Sequence, residues 1–257
     1  MPKALAYRVN QLTVNYGKTP VLWDINIEVP QGSIAGIIGP NGAGKSTLIK
    51  TSMQFIKPIS GHIEFFEKPL KEVRDKIAYV PQKGTVDWNF PINVREIVLM
   101  GRYHKRGFFS RINKEDEDMA DFYIEKVGLK NVEKRQINEL SGGQQQRVFI
   151  ARAMMQEAFI YFLDEPFSGI DITTEQLIMQ IFKELAQEGK TILIIHHDLN
   201  TVSNYFNWLV MLNMYLIANG KTEDVFTGKN IAKTYGQNYN VFGEAYKLSY
   251  DKYFGIQ

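Results

Sequence analysis

The chain has 257 residues, of which 44% are hydrophobic and 23% charged, with a net charge of +2 and no cysteine. That balance suits a folded α/β unit large enough to bury a substantial core. It excludes a disulfide framework and a thiolate metal site, and it lacks the positive excess with which proteins grip nucleic acid, so no nucleic-acid partner is expected. The opening stretch from Met1 to Ala6 lacks the apolar core of a secretion signal. The runs at 191–195 and 208–218 fall short of the roughly 20 apolar residues of a spanning helix, so the chain is expected not to cross a membrane by itself.

In chain order, Leu12, Val14 and Tyr16 alternate with polar residues, as do Ile25, Ile27 and Val29, which predicts antiparallel strands joined by a turn near Gly17. Ile34-Ala35-Gly36-Ile37-Ile38 is a continuous apolar run, the mark of a strand buried on both faces. It ends at a glycine-rich loop. Leu48, Ile49, Ser52 and Met53 then repeat at helical spacing, with Lys57-Pro58 as the predicted stop.

From about 84 to 155 the pattern turns helical. Asn93 with Glu96 reads as a capping box and Gly101 as the end of that helix. Asn113 opens a second helix with an acidic first turn and a predicted buried face of Met119, Phe122, Tyr123 and Val127. Ser141 with Gln144 opens a third. Strand signals return at Phe159–Leu163 and Thr191–Ile195, separated by a helix with Leu177, Ile178, Ile181, Phe182 and Leu185 on one face. The alternation predicts an α/β fold with a parallel sheet, a small antiparallel β-subdomain and a helical insertion.

Two glycine segments carry the chemistry. In Gly39-Pro40-Asn41-Gly42-Ala43-Gly44-Lys45-Ser46, followed by Thr47, the glycines let backbone N–H groups converge on phosphate oxygens. Lys45 neutralises their charge and Ser46 offers a hydroxyl to magnesium. In Leu140-Ser141-Gly142-Gly143-Gln144, Ser141 is placed as an N-cap, and the glycines allow a close approach of backbone to an anion at the positive end of a helix. A plain capping box has the same spelling. The run at Phe159–Leu163 delivers Asp164 and Glu165 to the C-terminal edge of a strand, where open α/β sheets place ligands. Asp164 is expected beside magnesium and Glu165 as general base toward water.

Gln82 follows another strand and is a candidate magnesium or water ligand. His197 is a candidate donor to a γ-phosphate, with His196 on the other face as a structural residue. Tyr16 is a candidate adenine platform.

This ordered set resembles the ATP-binding subunit of ABC transporters. The matching elements are Tyr16, a Walker A loop at 39–46, Gln82 of the Q-loop, the signature at 140–144, the Walker B end Asp164-Glu165, a D-loop at Ser168-Gly169-Ile170-Asp171 and the switch residue His197. The resemblance spans residues 5–228 and implies the P-loop ABC ATPase fold, with a RecA-like parallel-sheet core, an antiparallel β-subdomain and an inserted helical subdomain at about 84–155. It also implies a cofactor pair of ATP and Mg2+. Two copies would pair head to tail, each ATP lying between the Walker A loop of one copy and the signature helix of the other, with Asp171 at that junction. Residues 229–257 match nothing and are left as an extension without an assigned role.

A narrower likeness lies in Asp87-Trp88-Asn89-Phe90-Pro91-Ile92-Asn93-Val94-Arg95 and onward to Tyr103, together with Phe167 and the paired His196-His197. It is similar to the subunits that power bacterial importers of manganese, iron or zinc. By that likeness the segment from Trp88 to Tyr103 meets an integral membrane permease. An extracytoplasmic metal-binding protein would be an indirect partner, and the chain would sit peripherally on the cytoplasmic face of the membrane. Glu157-Ala158 and Asn213-Met214-Tyr215 depart from the family pattern, away from the catalytic positions.

Overall fold

The computed structural model describes residues 4–17, 19–82, 90–106 and 112–236. Among them the strands are β1 (Leu5–Tyr16), β2 (Thr19–Pro30), β3 (Ile34–Ile38), β4 (Ser60–Phe65), β5 (Ile77–Val80), β6 (Ile160–Leu163), β7 (Thr191–Ile195), β8 (Trp208–Asn213) and β9 (Tyr215–Lys221). The α-helices are α1 (Lys45–Ser52), α2 (Leu70–Val73), α3 (Val94–Leu99), α4 (Tyr103–Arg106), α5 (Lys114–Lys126), α6 (Gly142–Met154), α7 (Ile172–Gln187), α8 (Val202–Tyr205), α9 (Thr222–Val225) and α10 (Gly228–Tyr235). The chain divides into two compact units, residues 1–70 with 195–257, and residues 71–194.

In the first unit, β2, β1 and β4 form an antiparallel sheet in that order. Val9 faces Ile27, Leu12 faces Ile25 and Val14 faces Leu22, and all six side chains are buried. One apolar row therefore points inward, carried across a register shift between Val9 and Leu12, as expected of a sheet with one wet face. β3 pairs in parallel with β8, which pairs antiparallel with β9. All five residues of β3 are buried. The indole N–H of Trp208 donates to the Glu28 carbonyl at 2.9 Å, and the Glu28 N–H donates to Oδ1 of Asn219 at 2.9 Å, joining the two sheets of this unit.

Helix α1 stops at Ser52, well before the expected stop at Lys57-Pro58. The reason is local. Gln54 takes the left-handed conformation with φ 61°, and the Phe55 N–H returns to the Lys50 carbonyl at 2.8 Å, closing the helix as a glycine would at its C-terminal cap. At the other end of the unit, Thr227 caps α10 by accepting from the Asn230 N–H. That helix lies in the stretch for which the sequence offered no reading.

In the second unit, β5, β6 and β7 pair in parallel, Val80 opposite Leu163 and Leu163 opposite Ile194. Ile178, Ile181, Phe182 and Leu185 of α7 are buried, as its periodicity predicts. Helices α3, α5 and α6 lie between β5 and β6 in the chain. Each opens with a reciprocal capping box: Asn93 with Glu96, Asn113 with Asp116, and Ser141 with Gln144.

Two expectations change here. The buried face of α5 is Asp116, Ala120 and Ile124, continued by Val127, whereas Phe122 is 58% exposed. The face is turned because Asp116 must point inward. It accepts from Arg102 Nε at 2.8 Å while also capping its own helix, and both side chains of that pair are buried. Arg102 Nη1 donates onward to Glu157 at 2.6 Å.

Gly101 does not end a helix either. It lies within a 3-10 turn, Met100–Arg102, and a Cβ there would stand 2.3 Å from the Arg152 carbonyl oxygen and 2.6 Å from Cβ of Met155. Its small size brings that turn against the end of α6.

Candidate nucleotide-binding and hydrolysis site

The first unit builds the phosphate loop. β3 leads into residues 39–44 and α1 begins at Lys45. Gly44 has φ 93°, and no side chain caps the start of α1. This is the end of the helix whose dipole favours anions.

A Cβ on Gly44 would stand 2.4 Å from a Leu22 methyl and 2.9 Å from the Val21 carbonyl oxygen. Lys45 is buried, and its Nζ donates to the Gly39 carbonyl at 2.7 Å and the Pro40 carbonyl at 2.9 Å. The ammonium is thus stretched back across the mouth of its own loop. Ala43 is buried with Lys45 and Thr47, while Pro40, Asn41, Gly42 and Ser46 are more accessible. The Ala43 N–H donates to the Pro40 carbonyl at 3.2 Å. Tyr16 ends β1 beside Gly17 with about half its surface in solvent, as a stacking platform requires.

The first unit also presents His197. It is exposed, whereas His196 beside it is 4% exposed. Burial, then the neighbouring His197, pushes the His196 pKa down to about 4.

In the second unit the strand ends of β5 and β6 bring three predicted residues together. Gln82 follows β5, and Asp164 and Glu165 follow β6. Nε2 of Gln82 donates to Oε2 of Glu165 at 2.8 Å. Glu165 has φ 52°, a left-handed backbone uncommon for a side chain of this kind. Asp164 is 2% exposed, with its N–H bonded to the Val80 carbonyl at 3.0 Å. Its charge adds to burial in raising the phenol of Tyr79 to about 12.

The same unit holds the second glycine segment. Ser141 caps α6 by accepting from the Gln144 N–H at 3.3 Å, and the Gln144 side chain accepts the Ser141 N–H at 2.9 Å. A Cβ on Gly143 would come no closer than 3.5 Å to anything, its nearest neighbour being Ile170. Asp171 accepts from the Thr174 N–H at 2.9 Å and caps α7. Nη1 of Arg147 donates to the Val127 carbonyl at 2.7 Å, tying α6 to the end of α5.

Of the segment expected to meet a permease, Asp87, Trp88 and Asn89 lie outside the described residues, as do Tyr239, Tyr246, Tyr250 and Tyr253 of the C-terminal stretch. Phe90 and Tyr103 are each more than half exposed. Arg95 is engaged internally, its two Nη atoms on Asp121 at 2.8 and 3.1 Å and one of them on Glu133 at 3.5 Å. No helix among the described residues is long and apolar enough to cross a membrane.

A phosphate loop on a buried strand, a carboxylate pair at a strand end and a glycine-led helix start coincide with the outcome of comparison. The model of the ABC transporter family matches residues 22–168. The chain belongs to the ABC transporter family. The manganese transport system ATP-binding protein MntB of Bacillus subtilis is 53% identical over 89% of this chain and 91% of its own. The zinc transport system ATP-binding protein TroB of Treponema pallidum is 48% identical over 91% of this chain and 88% of its own. Among solved structures, the ADP conformation of MJ1267, an ATP-binding cassette of an ABC transporter, superposes with a TM-score of 0.72 at 29% identity, covering 86% of this chain and 92% of that one.

The fold is accordingly the α/β P-loop ABC ATPase fold, and the family's chemistry is nucleotide binding with ATP hydrolysis. The contact between Gln82 and Glu165 escaped sequence reasoning, because 83 residues separate the two. The partnership of His196 with Thr201 escaped it too, since a histidine beside a candidate site histidine carries no separate pattern.

Proposed function

We propose that the chain is the magnesium-dependent, ATP-hydrolysing subunit that powers import of a divalent metal ion, manganese, iron or zinc, through a separate membrane permease. The observation that carries this reading is the likeness to the manganese and zinc system subunits, continuous over 89% and 91% of the chain. Residues 5–228 are read as the ATP-binding domain with its helical subdomain at about 84–155, and 229–257 as an extension. The chain is placed peripherally on the cytoplasmic face of the membrane, with an extracytoplasmic metal-binding protein as an indirect partner.

In this reading Lys45 exchanges its bonds to the Gly39 and Pro40 carbonyls for phosphate oxygens, and the backbone of residues 39–47 wraps the phosphates. Tyr16 stacks on the adenine. Glu165, held by Gln82, takes a proton from the attacking water, and His197 donates to the γ-phosphate.

Magnesium, when bound, draws charge from the phosphate oxygens. Ser46, Gln82 and Asp164 would hold it, and a hydroxyl, an amide and a carboxylate form an oxygen donor set suited to a hard cation. Ser141, Gly142, Gly143 and Gln144 of a second copy complete the site, with Asp171 holding the adjacent turn. ATP therefore favours the closed pair and loss of phosphate favours the open one, and this difference in affinity is what drives the permease.

A tagged chain drawn from membranes of its native host should bring down one permease, whose companion binding protein should carry manganese, iron or zinc by elemental analysis. Recovery of a permease whose binding protein holds an organic solute would overturn the cargo and leave the ATPase reading intact.

A further inference from the structure

His196 is a buried imidazole, and a buried polar ring costs stability unless its nitrogens are bonded. A phenylalanine would fill the same space without that cost, so the bond it makes needs an explanation. Nε2 of His196 lies 2.7 Å from Oγ1 of Thr201. The turn between them is closed on itself. The His196 N–H donates to the Ile37 carbonyl of β3 at 3.1 Å, Oγ1 of Thr201 donates to the Asp198 carbonyl at 3.1 Å, and the Thr201 carbonyl accepts from the N–H groups of Asn204 and Tyr205 at 3.1 Å each.

The ring is also fixed in angle. It meets Phe206 edge-on with centroids 5.2 Å apart, and lies within 10° of parallel to His197 with centroids 6.1 Å apart. Phe206 in turn presses on Gly36, where a Cβ would stand 2.8 Å from its ring. Gly36 belongs to β3, the strand that delivers the phosphate loop. A chain of contacts therefore runs from β3 through Phe206 and His196 to the plane of His197.

We propose that His196 is a positioning residue for His197. By its hydrogen bond to Thr201 it locks the turn at 196–201 and fixes the ring that faces the γ-phosphate. The inference rests on the reading of His197 given above and adds to it a second histidine that never touches nucleotide.

The test uses the full chain and four variants. Thr201→Val and His196→Phe keep volume and packing but remove the bond. His196→Gln places an amide where Nε2 stood and keeps it. His197→Ala is the reference. Loss of one hydrogen bond of this kind should appear as a roughly tenfold fall in kcat for Thr201→Val and His196→Phe, with KM for ATP within twofold and His196→Gln close to wild type. Joined to His197→Ala, Thr201→Val should slow turnover no further.

The aromatic proton signal of His197 gives a readout independent of activity. It should be sharp in wild type and in His196→Gln, and broadened in the two variants lacking the bond. An unchanged His197 signal in Thr201→Val, or rescue by phenylalanine as complete as by glutamine, would overturn the proposal. Wild-type turnover in His197→Ala would instead overturn the role of His197 itself, while its ring signal would still decide whether His196 positions it.

Discussion

The phosphate loop and the signature turn both begin a helix with glycine, and their surroundings differ. At Gly44 the chain itself forbids a side chain, since φ is 93° and Leu22 and the Val21 carbonyl occupy the space. At Gly143 the backbone is helical and a methyl group would meet only ordinary contacts. The start of α1 has no side-chain cap, whereas the start of α6 is capped within its own segment by Ser141 and Gln144. The first glycine is demanded by internal packing. The second meets no such demand, and under the proposed function it serves the nucleotide held by another copy.

Substitutions can break or sharpen this contrast. Glu165→Gln should bind ATP with near-normal affinity in a filter or fluorescence assay and lose about 10² to 10⁴ in turnover, the usual worth of a general base. Unreduced turnover would remove Glu165 from its role. Lys45→Ala should lose roughly a hundredfold in ATP affinity, the worth of one or two charge-assisted hydrogen bonds, and calorimetric titration would measure it.

The two glycines should then separate cleanly. Gly44→Ala should destabilise the chain by about 2 kcal/mol, from strain and overpacking. Gly143→Ala should leave stability unchanged or raise it by about 0.5–1 kcal/mol, as alanine does inside a helix, while slowing ATP turnover. Equal thermal shifts in the two would erase the distinction.

His196 supplies a pH test within the first unit. Its folded pKa of about 4 lies below the ordinary 6.5, and the titratable groups facing it are His197, Asp198 and Tyr205. Because the fold prefers the neutral ring, its contribution is fully present above pH 6.5 and is lost as the pH falls from 6.5 toward 4. The loss is roughly 3 kcal/mol by linkage. Denaturant unfolding of wild type against His196→Gln should show the difference opening over that interval. A further modest effect is at Asn93→Ala, which removes one cap of α3 and should cost about 1 kcal/mol without touching nucleotide binding.

Much of this was legible because it is local. The buried strands at 34–38 and 191–195, the three cap residues Asn93, Asn113 and Ser141, and the inward row of β1 and β2 each follow from a period or a spacing within a few residues. What was missed is long-range. The inward face of α5 is set by Arg102 drawing Asp116 into the interior, so the apolar pattern alone put Phe122 on the wrong side. Gly101 reads as a helix terminator by type, and only the carbonyl of Arg152 reveals that it is a contact point. β4 gives little signal because only one of its six residues is buried. Among site residues, the loop at 39–46 and the pair at 164–165 were legible from composition and order, while the bond from Gln82 to Glu165 required the sheet register that aligns β5 with β6.

The central claim, that ATP is held between the lysine loop of one copy and the serine turn of another, is tested most directly by light-scattering mass across a sizing column. With ATP and magnesium, the Glu165→Gln protein should elute at twice the mass of the chain. Adding Ser141→Arg should return it to a single chain that still binds nucleotide. A Ser141→Arg protein that still dimerises with ATP, or a Glu165→Gln protein that stays single with nucleotide bound, would contradict the account.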